Sequence, residues 1–485
     1  MANPRILIAG LCGGGGKTLV TTGLLAAWRK MGRRVAPFKK GPDYIDAAWL
    51  SVAAQRPCRN LDLFLMSPQT IQRSFAASCA DADLAVIEGN RGLFDGLDAA
   101  GTCSSAELAK LLQTPVVLVV DATKATRTVA AIVLGCQQLD PQLALRGVIL
   151  NRTAGARHVS VLRQAIEEIC HLPVLGALPK IRTEIFPERH LGLVPPDEHA
   201  AMTDAVRQAG ELAEQYLDLQ GIWKLARQAP AMPSPISLTC SACSAPSASK
   251  GTTRPRRSLA SGEPLRIGVF RDAAFAFYYP ENLEALVHQG AELVEISPLR
   301  DTELPKVSAL YIGGGFPEML AAPLAANTLF LNSLRRAIAA GLSVYAECGG
   351  AIYLGQKLLM DRQQYPMAGV LPVVFAFGPK PQGHGYTILE TVRDNPFFPV
   401  GQVLRGHEFH YTYVQSYTAN DLSFAFRVRR GQGFGSEHDG LCRHNVLACY
   451  THLHALGAEV WAPALVRAAA RFEAQAEPHR SPIPA

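Results

Sequence analysis

Near its start the chain carries an apolar run, Ile6-Leu7-Ile8-Ala9, that passes directly into glycines. A run this short, followed by a glycine-rich turn, reads as a first β-strand and not as a signal segment. Further β-branched runs lie near Val35–Phe38, Leu84–Glu88, Val116–Asp121 and Val148–Asn151, with longer helix-period stretches between them. That alternation predicts a parallel sheet covered by helices over residues 1–228. From 229 to 264 the periodicity stops and Pro, Ser, Ala and Thr dominate, which predicts a flexible linker. Alternation resumes at Arg266-Ile267-Gly268-Val269-Phe270, with strands near Glu292–Ile296, Leu310–Ile312 and Val344–Glu347. Residues 265–485 therefore read as a second α/β domain, ending in a polar, Pro-rich tail from Glu477 to Ala485.

Length and composition agree with this division. A chain of 485 residues is too long for one ordinary core. Its net charge of +6 is small for that length, and the one basic cluster, Arg254, Arg256 and Arg257, lies in the linker. No nucleic-acid partner is expected. The 11 cysteines are scattered and odd in number, which argues for a reducing cytoplasm over a disulfide framework. Cys240 and Cys243 form a CxxC in the linker, but without a second pair at zinc spacing they read as incidental. No apolar run approaches the roughly 18 residues that span a bilayer, so no membrane partner is expected.

The first strand leads into Gly10-Leu11-Cys12-Gly13-Gly14-Gly15-Gly16-Lys17-Thr18, and a helical run, Leu19 to Lys30, follows. Glycines let backbone N–H groups turn inward around phosphate oxygens, and the helix N-terminus adds partial positive charge. Lys17 is placed to reach terminal phosphates and the Thr18 hydroxyl to ligate Mg²⁺. The usual pattern has a glycine where Leu11 stands, and Gly10 lies one residue earlier. Glu88 closes its strand at the sheet edge where ligands bind, so its carboxylate could hold Mg²⁺. Lys39-Lys40-Gly41-Pro42-Asp43-Tyr44-Ile45-Asp46 offers two cations and two carboxylates after the second strand. Asn151, at another strand end, could read an adenine edge or serve as an ordinary cap.

In the second half, Ser343-Val344-Tyr345-Ala346-Glu347-Cys348-Gly349-Gly350 is a strand running into a sharp turn, with a helix expected near Ala351. Such an elbow exposes the sulfur above a helix N-terminus, which favours a nucleophilic thiolate. The glycine-rich turn Gly313-Gly314-Gly315 supplies N–H groups for an oxyanion hole, and His452 is a candidate base.

Several segments in order resemble one family. They are Gly41-Pro42-Asp43-Tyr44-Ile45-Asp46, Phe277-Tyr278-Tyr279-Pro280-Glu281-Asn282, Gly406-His407-Glu408-Phe409-His410-Tyr411 and Tyr450-Thr451-His452. The chain resembles the cobyrinate a,c-diamide synthases over nearly its whole length outside the linker. Its first half is similar to dethiobiotin synthetase-type ATPases, which also place the first loop glycine seven before the lysine, as Gly10 stands to Lys17. Its second half is similar to class I glutamine amidotransferase domains of the cobyric acid synthase type. The resemblance implies a P-loop parallel-sheet domain followed by a flavodoxin-like amidotransferase domain.

It also implies chemistry. Cys348 attacks the amide of L-glutamine with His452 as base and acid, and Gly314 and Gly315 hold the oxyanion. ATP phosphorylates a substrate carboxylate, and ammonia passing between the domains displaces phosphate. Gly10, Gly13, Gly14, Gly15, Gly16, Lys17, Thr18, Lys39 and Asn151 are the nucleotide-binding set. Thr18, Glu88 and one of Asp43 or Asp46, taken as Asp46, face Mg²⁺. Asp43, Tyr44 and Arg91 are assigned to the substrate, a cyclic tetrapyrrole whose a and c acetates are amidated. A homodimer is expected.

Where many class I amidotransferases carry Glu two residues after the histidine, this chain has His454, as in cobyric acid synthase-type domains, so a Cys/His pair is implied in place of a triad. Two departures qualify the match. The first loop has Leu11-Cys12-Gly13-Gly14 where cobyrinate enzymes more often carry Thr, Ala or Ser. Gly89-Asn90-Arg91-Gly92 stands where Gly-Val-Met-Gly is expected, a variant closer to the branch that amidates sirohaem. From another class, a partitioning-type ATPase with a non-catalytic amidotransferase scaffold is the alternative, against which the intact Cys348 and His452 argue.

Overall fold

The computed structural model describes residues 4–181, 185–186, 188–189, 192–193, 202–232, 264–418 and 422–476. The Cys240/Cys243 pair, the basic cluster at Arg254 to Arg257 and the tail from Glu477 lie outside the described residues. The chain divides into two compact units, Met1–Ser247 and Ala248–Ala485.

The first unit is built on strands β1 (Arg5–Gly10), β2 (Val35–Lys40), β3 (Arg59–Leu61), β4 (Leu84–Glu88), β5 (Val116–Asp121), β6 (Leu145–Thr153) and β7 (Val174–Pro179). They form one sheet in the order β3-β2-β4-β1-β5-β6-β7. Every pairing in it is parallel. Their apolar runs are buried, as a sheet covered on both faces requires. A small antiparallel ribbon pairs β8 (Glu188–Arg189) with β9 (Gly192–Leu193). Helix α1 (Lys17–Lys30) packs Val20, Leu24 and Trp28 into a core shared with Ile6, Ile8 and Trp49. It stops where Gly32 takes a positive φ of 76°.

Register aligns the strand ends that matter. Ile8 lies beside Glu88, and Glu88 lies beside Lys39. Strand order changes direction around β1, so its loop opens at the crevice where parallel sheets bind ligands.

The second unit begins with β10 (Leu265–Phe270), β11 (Ala291–Ile296), β12 (Ala309–Ile312) and β13 (Ser343–Glu347). A meander of β14 (Lys357–Met360), β15 (Gln363–Pro366), β16 (Val373–Phe377), β17 (Gly383–Thr391), β18 (Val403–His410) and β19 (Thr412–Tyr417) follows. Last come β20 (Ser423–Arg430), β21 (His438–Arg443), β22 (Val446–Cys449) and β23 (His452–Leu453). The parallel part runs β11-β10-β12-β13-β22, the flavodoxin-like order. Antiparallel strands β21, β20, β17, β18 and β23 extend it to ten, and β15-β14-β16-β19 form a separate sheet. The extension folds the chain back so that β23 pairs His452 with His407 of β18. Both units thus follow the α/β architecture expected from the alternation, while β3, β7 and the strands after β13 were not anticipated by it.

Candidate active site

In the first unit the loop after β1 is drawn tight. Gly16 adopts a left-handed φ of 94°, and a Cβ there would lie 2.1 Å from Asn151 Nδ2. Only glycine fits both demands. Asn151 is buried and donates from Nδ2 to Gly15 O at 3.0 Å, while its Oδ1 accepts from Arg152 N at 2.9 Å. Its amide therefore braces the loop in this structure. Gly10 O accepts from Leu93 N at 2.8 Å, which stitches the segment after β4 to the loop. Lys17 folds back to donate to Cys12 O at 2.8 Å. Burial, followed by the neighbouring Lys39 charge, holds Lys17 below the usual lysine range.

Beside the loop sits a charged cluster organised by Lys39, which is 1% exposed. Its Nζ donates to Glu88 Oε1 at 2.5 Å and to Asp46 Oδ2 at 2.6 Å, with Asp43 Oδ2 at 3.8 Å. Thr18 Oγ1 donates to the same Glu88 oxygen at 3.1 Å. Burial opposes the lysine's charge, but Asp46, Glu88 and Asp43 outweigh it and hold Lys39 well above its ordinary range. Burial pushes Glu88 up against the pull of Lys39. Burial also opposes the charge on Asp46, yet Lys39 wins there and lowers it. Burial and the adjacent Asp46 charge push Asp43 up to about 7. Asn60 was not singled out from sequence. It is buried and donates to Gly41 O at 2.8 Å and Asp43 O at 2.9 Å, fixing the loop that carries the two aspartates.

The structure therefore brings Thr18, Lys39, Asp46 and Glu88 together, with Asp43 at the edge. Tyr44 caps the start of helix α2 (Ile45–Ala54), and Arg91 lies exposed at a positive φ of 51° in the loop after β4. These two residues flank the cluster on the loops of adjacent strands.

In the second unit Cys348 stands between β13 and the helix Gly349–Leu354, at φ 46° and ψ −101°. Holding a cysteine at so strained a turn costs of order 1–3 kcal/mol, a feature concentrated at reactive sites. Its N–H donates to Cys449 O at 2.7 Å, locking the elbow to β22. The thiol is 6% exposed and weakly contacts Phe409 O at 3.8 Å. Burial, reinforced by Glu318, pushes the thiol well above its usual range. A helix N-terminus alone therefore does not make the thiolate here, contrary to the simplest reading of the elbow.

His452 packs against the neighbouring Gly313–Gly315 turn. A Cβ on Gly314 would lie 2.5 Å from His452 Cε1, so only glycine permits that approach. A Cβ on Gly349 would lie 3.2 Å from Gly315 N, which places that N–H beside the cysteine turn. The Gly313 N–H is already committed to Tyr278 Oη at 2.8 Å. His452 stacks on His407, with ring centroids 4.9 Å apart at 20°. His454 is directed elsewhere, with Nε2 3.7 Å from Glu281 Oε2 and its ring against Tyr279.

Sequence reasoning passed over the residues that hold this corner. Glu347 lies fully buried with Oε2 3.5 Å from His452 Nδ1. Asp439 accepts from Tyr450 N at 3.0 Å and Thr451 N at 3.2 Å, pinning the approach to His452. The available signal was a carboxylate ending an otherwise apolar buried strand, which demands partners.

Comparison with known proteins agrees with both halves. Residues 6–193 match the CobQ/CobB/MinD/ParA nucleotide binding domain, and residues 266–460 match the CobB/CobQ-like glutamine amidotransferase domain. A cobyrinate a,c-diamide synthase of Magnetococcus marinus is 44% identical over 464 residues, 96% of this chain and 97% of that protein. Those of Archaeoglobus fulgidus and Methanothermobacter thermautotrophicus are 38% and 37% identical, covering 94% and 100% of their own lengths. Identity at this level along both units, together with the two matched domains, shows that the chain belongs to the cobyrinate a,c-diamide synthase family.

Proposed function

We propose that this enzyme amidates the a and c acetates of a cyclic tetrapyrrole, with glutamine as nitrogen source and ATP to activate each carboxylate. The observation that carries the reading is that one chain holds a Lys39-centred carboxylate cluster beside a phosphate loop, and a strained cysteine elbow next to the Gly314–Gly315 turn that His452 packs against. Residues 229–264 act as the linker between the nucleotide-binding and amidotransferase domains, and a cytoplasmic homodimer is the expected setting.

At the glutaminase site Cys348 Sγ attacks the amide carbon of glutamine. Gly314 and Gly315 N–H groups receive the developing oxyanion. His452 takes the thiol proton and returns it to the departing ammonia, after which water releases glutamate. Because burial disfavours the thiolate, proton transfer to His452 accompanies attack.

At the synthetase site the glycines from Gly13 to Gly16, with Gly10 and Asn151 behind them, shape the phosphate cradle. Lys17 swings from Cys12 O onto the terminal phosphates. Thr18, Asp46 and Glu88 would hold Mg²⁺. The fit is supported by Glu88 Oε2, a buried oxygen without a hydrogen-bond partner among the described residues. Bound there, Mg²⁺ would neutralise charge on the transferred phosphoryl group. Asp43, Tyr44 and Arg91 face the tetrapyrrole, whose activated acetate is attacked by ammonia to give a carboxamide and phosphate.

A sirohaem-type ring is the second reading. It is raised by Gly89-Asn90-Arg91-Gly92, which stands where Gly-Val-Met-Gly is expected of cobyrinate enzymes.

Two substitutions test the division of labour. Cys348→Ala is expected to abolish glutamine-dependent amidation and keep amidation driven by added ammonia. Lys17→Ala is expected to lose on the order of 10²-fold or more with either nitrogen source. Failure of ammonia to rescue the first variant, or full activity in the second, would refute the assigned roles.

A further inference from the structure

We infer that Glu347 is the carboxylate that orients His452, replacing the glutamate absent from the second position after the histidine. The inference rests on the proposed Cys348/His452 glutaminase. Glu347 ends β13, one residue before Cys348, and is 0% exposed. Its Oε2 lies 3.5 Å from His452 Nδ1. The same carboxylate accepts from Tyr311 Oη at 3.1 Å, Tyr345 Oη at 3.2 Å and Leu453 N at 3.1 Å.

A carboxylate offers about four lone-pair directions. Three are taken by these neutral donors, and the remaining contact is His452. The three donors also make a buried acidic side chain tolerable in a dry site. Leu453 follows His452, so the carboxylate grips the backbone and the ring of the same two-residue strand. His407 stacking on one face and Gly314 against Cε1 leave the ring little freedom to turn. An imidazole whose Nδ1–H points to a carboxylate presents Nε2 to the nucleophile and gains stabilisation when protonated. During attack the Cys348 proton passes to His452 Nε2 while the Nδ1 proton stays on the ring. At 3.5 Å the contact is at ion-pair distance, longer than a hydrogen bond. His454 cannot take this role, because its ring is held against Tyr279 and Glu281.

The test compares full-length wild type, Glu347→Gln, His452→Ala and the double variant in two assays, glutamate release and amidation driven by added ammonia. Glu347→Gln is expected to lower kcat for glutamine on the order of 10²-fold, with KM and ammonia-driven amidation each within about twofold of wild type. Labelling of Cys348 by 6-diazo-5-oxo-norleucine slows in parallel. Because Glu347 acts through the ring, the double variant is expected to be no slower than His452→Ala alone. Glutamate release at the wild-type rate in Glu347→Gln, a loss shared by the ammonia route, or fully multiplicative losses in the double variant would each overturn the inference. Glu347→Asp, which keeps the charge but shortens the reach, gives a second reading should the glutamine variant not fold. Wild-type glutamine hydrolysis in it would also count against the role. If wild type itself releases no glutamate, the glutaminase reading fails. If wild type is active and Glu347→Gln matches it, only the role of Glu347 falls.

Discussion

One buried lysine meeting three carboxylates sets the electrostatics of the first unit. Lys39 compensates Asp46 and Glu88 at 2.6 and 2.5 Å, but it reaches Asp43 only at 3.8 Å. Burial raises Glu88 despite its close lysine, and the least-compensated carboxyl, Asp43, is pushed up to about 7. A carboxyl whose folded value lies above its ordinary value near 3.9 stabilises the fold at low pH. That contribution is lost as pH rises through about 7. Ligand-free protein is therefore expected to lose thermal stability between about pH 4 and about pH 7 partly through Asp43. Asp43→Asn should flatten that part of the profile. Melting curves of the two proteins across this range check it, and parallel slopes would show that Asp43 is not strained. The same excess of negative charge would suit the proposed Mg²⁺, since an added dication would relieve what one lysine leaves uncompensated.

Each centre is built by a strand that stops, a turn that only glycine can make, and a helix that starts. In the first unit the turn passes under Asn151 at Gly16, and in the second it passes beside His452 at Gly314. Gly314→Ala puts a methyl group 2.5 Å from His452 Cε1, so the ring must shift. We expect glutamine-dependent amidation to fall on the order of 10²-fold while ammonia-driven amidation stays near wild type. Steady-state rates with the two nitrogen sources decide this, and equal losses would place the damage outside the glutaminase corner.

These turns were legible in the sequence because strand, glycine run and helix are contiguous there. The charged cluster was half legible. Asp43, Asp46 and Lys39 lie within one short segment, but their meeting with Glu88 depends on the register of β2 against β4. The support of His452 was not legible. Leu453 N reaches Glu347 across 106 positions, after a meander of short strands whose pairing no local pattern announces. Burial of Cys348 was likewise hidden, because it comes from strands β18 and β22 far along the chain.

At the scale of the whole molecule, two units with separate cores serve one reaction, since the ammonia released in one is consumed in the other. Neither centre suffices for the proposed synthesis. The nucleotide-binding domain match falls in the first unit and the glutamine amidotransferase match in the second. Membership of the family rests on relatives that match along both units.

The account is tested most directly by following the nitrogen. Wild-type enzyme is supplied with ATP, Mg²⁺ and glutamine labelled with ¹⁵N at the side-chain amide, and cobyrinate and sirohaem are offered in parallel. Products are read by mass spectrometry. The account predicts label in new carboxamides of a ring, two on cobyrinate, with ATP hydrolysed for each amide formed. Glutamate released while neither ring gains labelled nitrogen would contradict it.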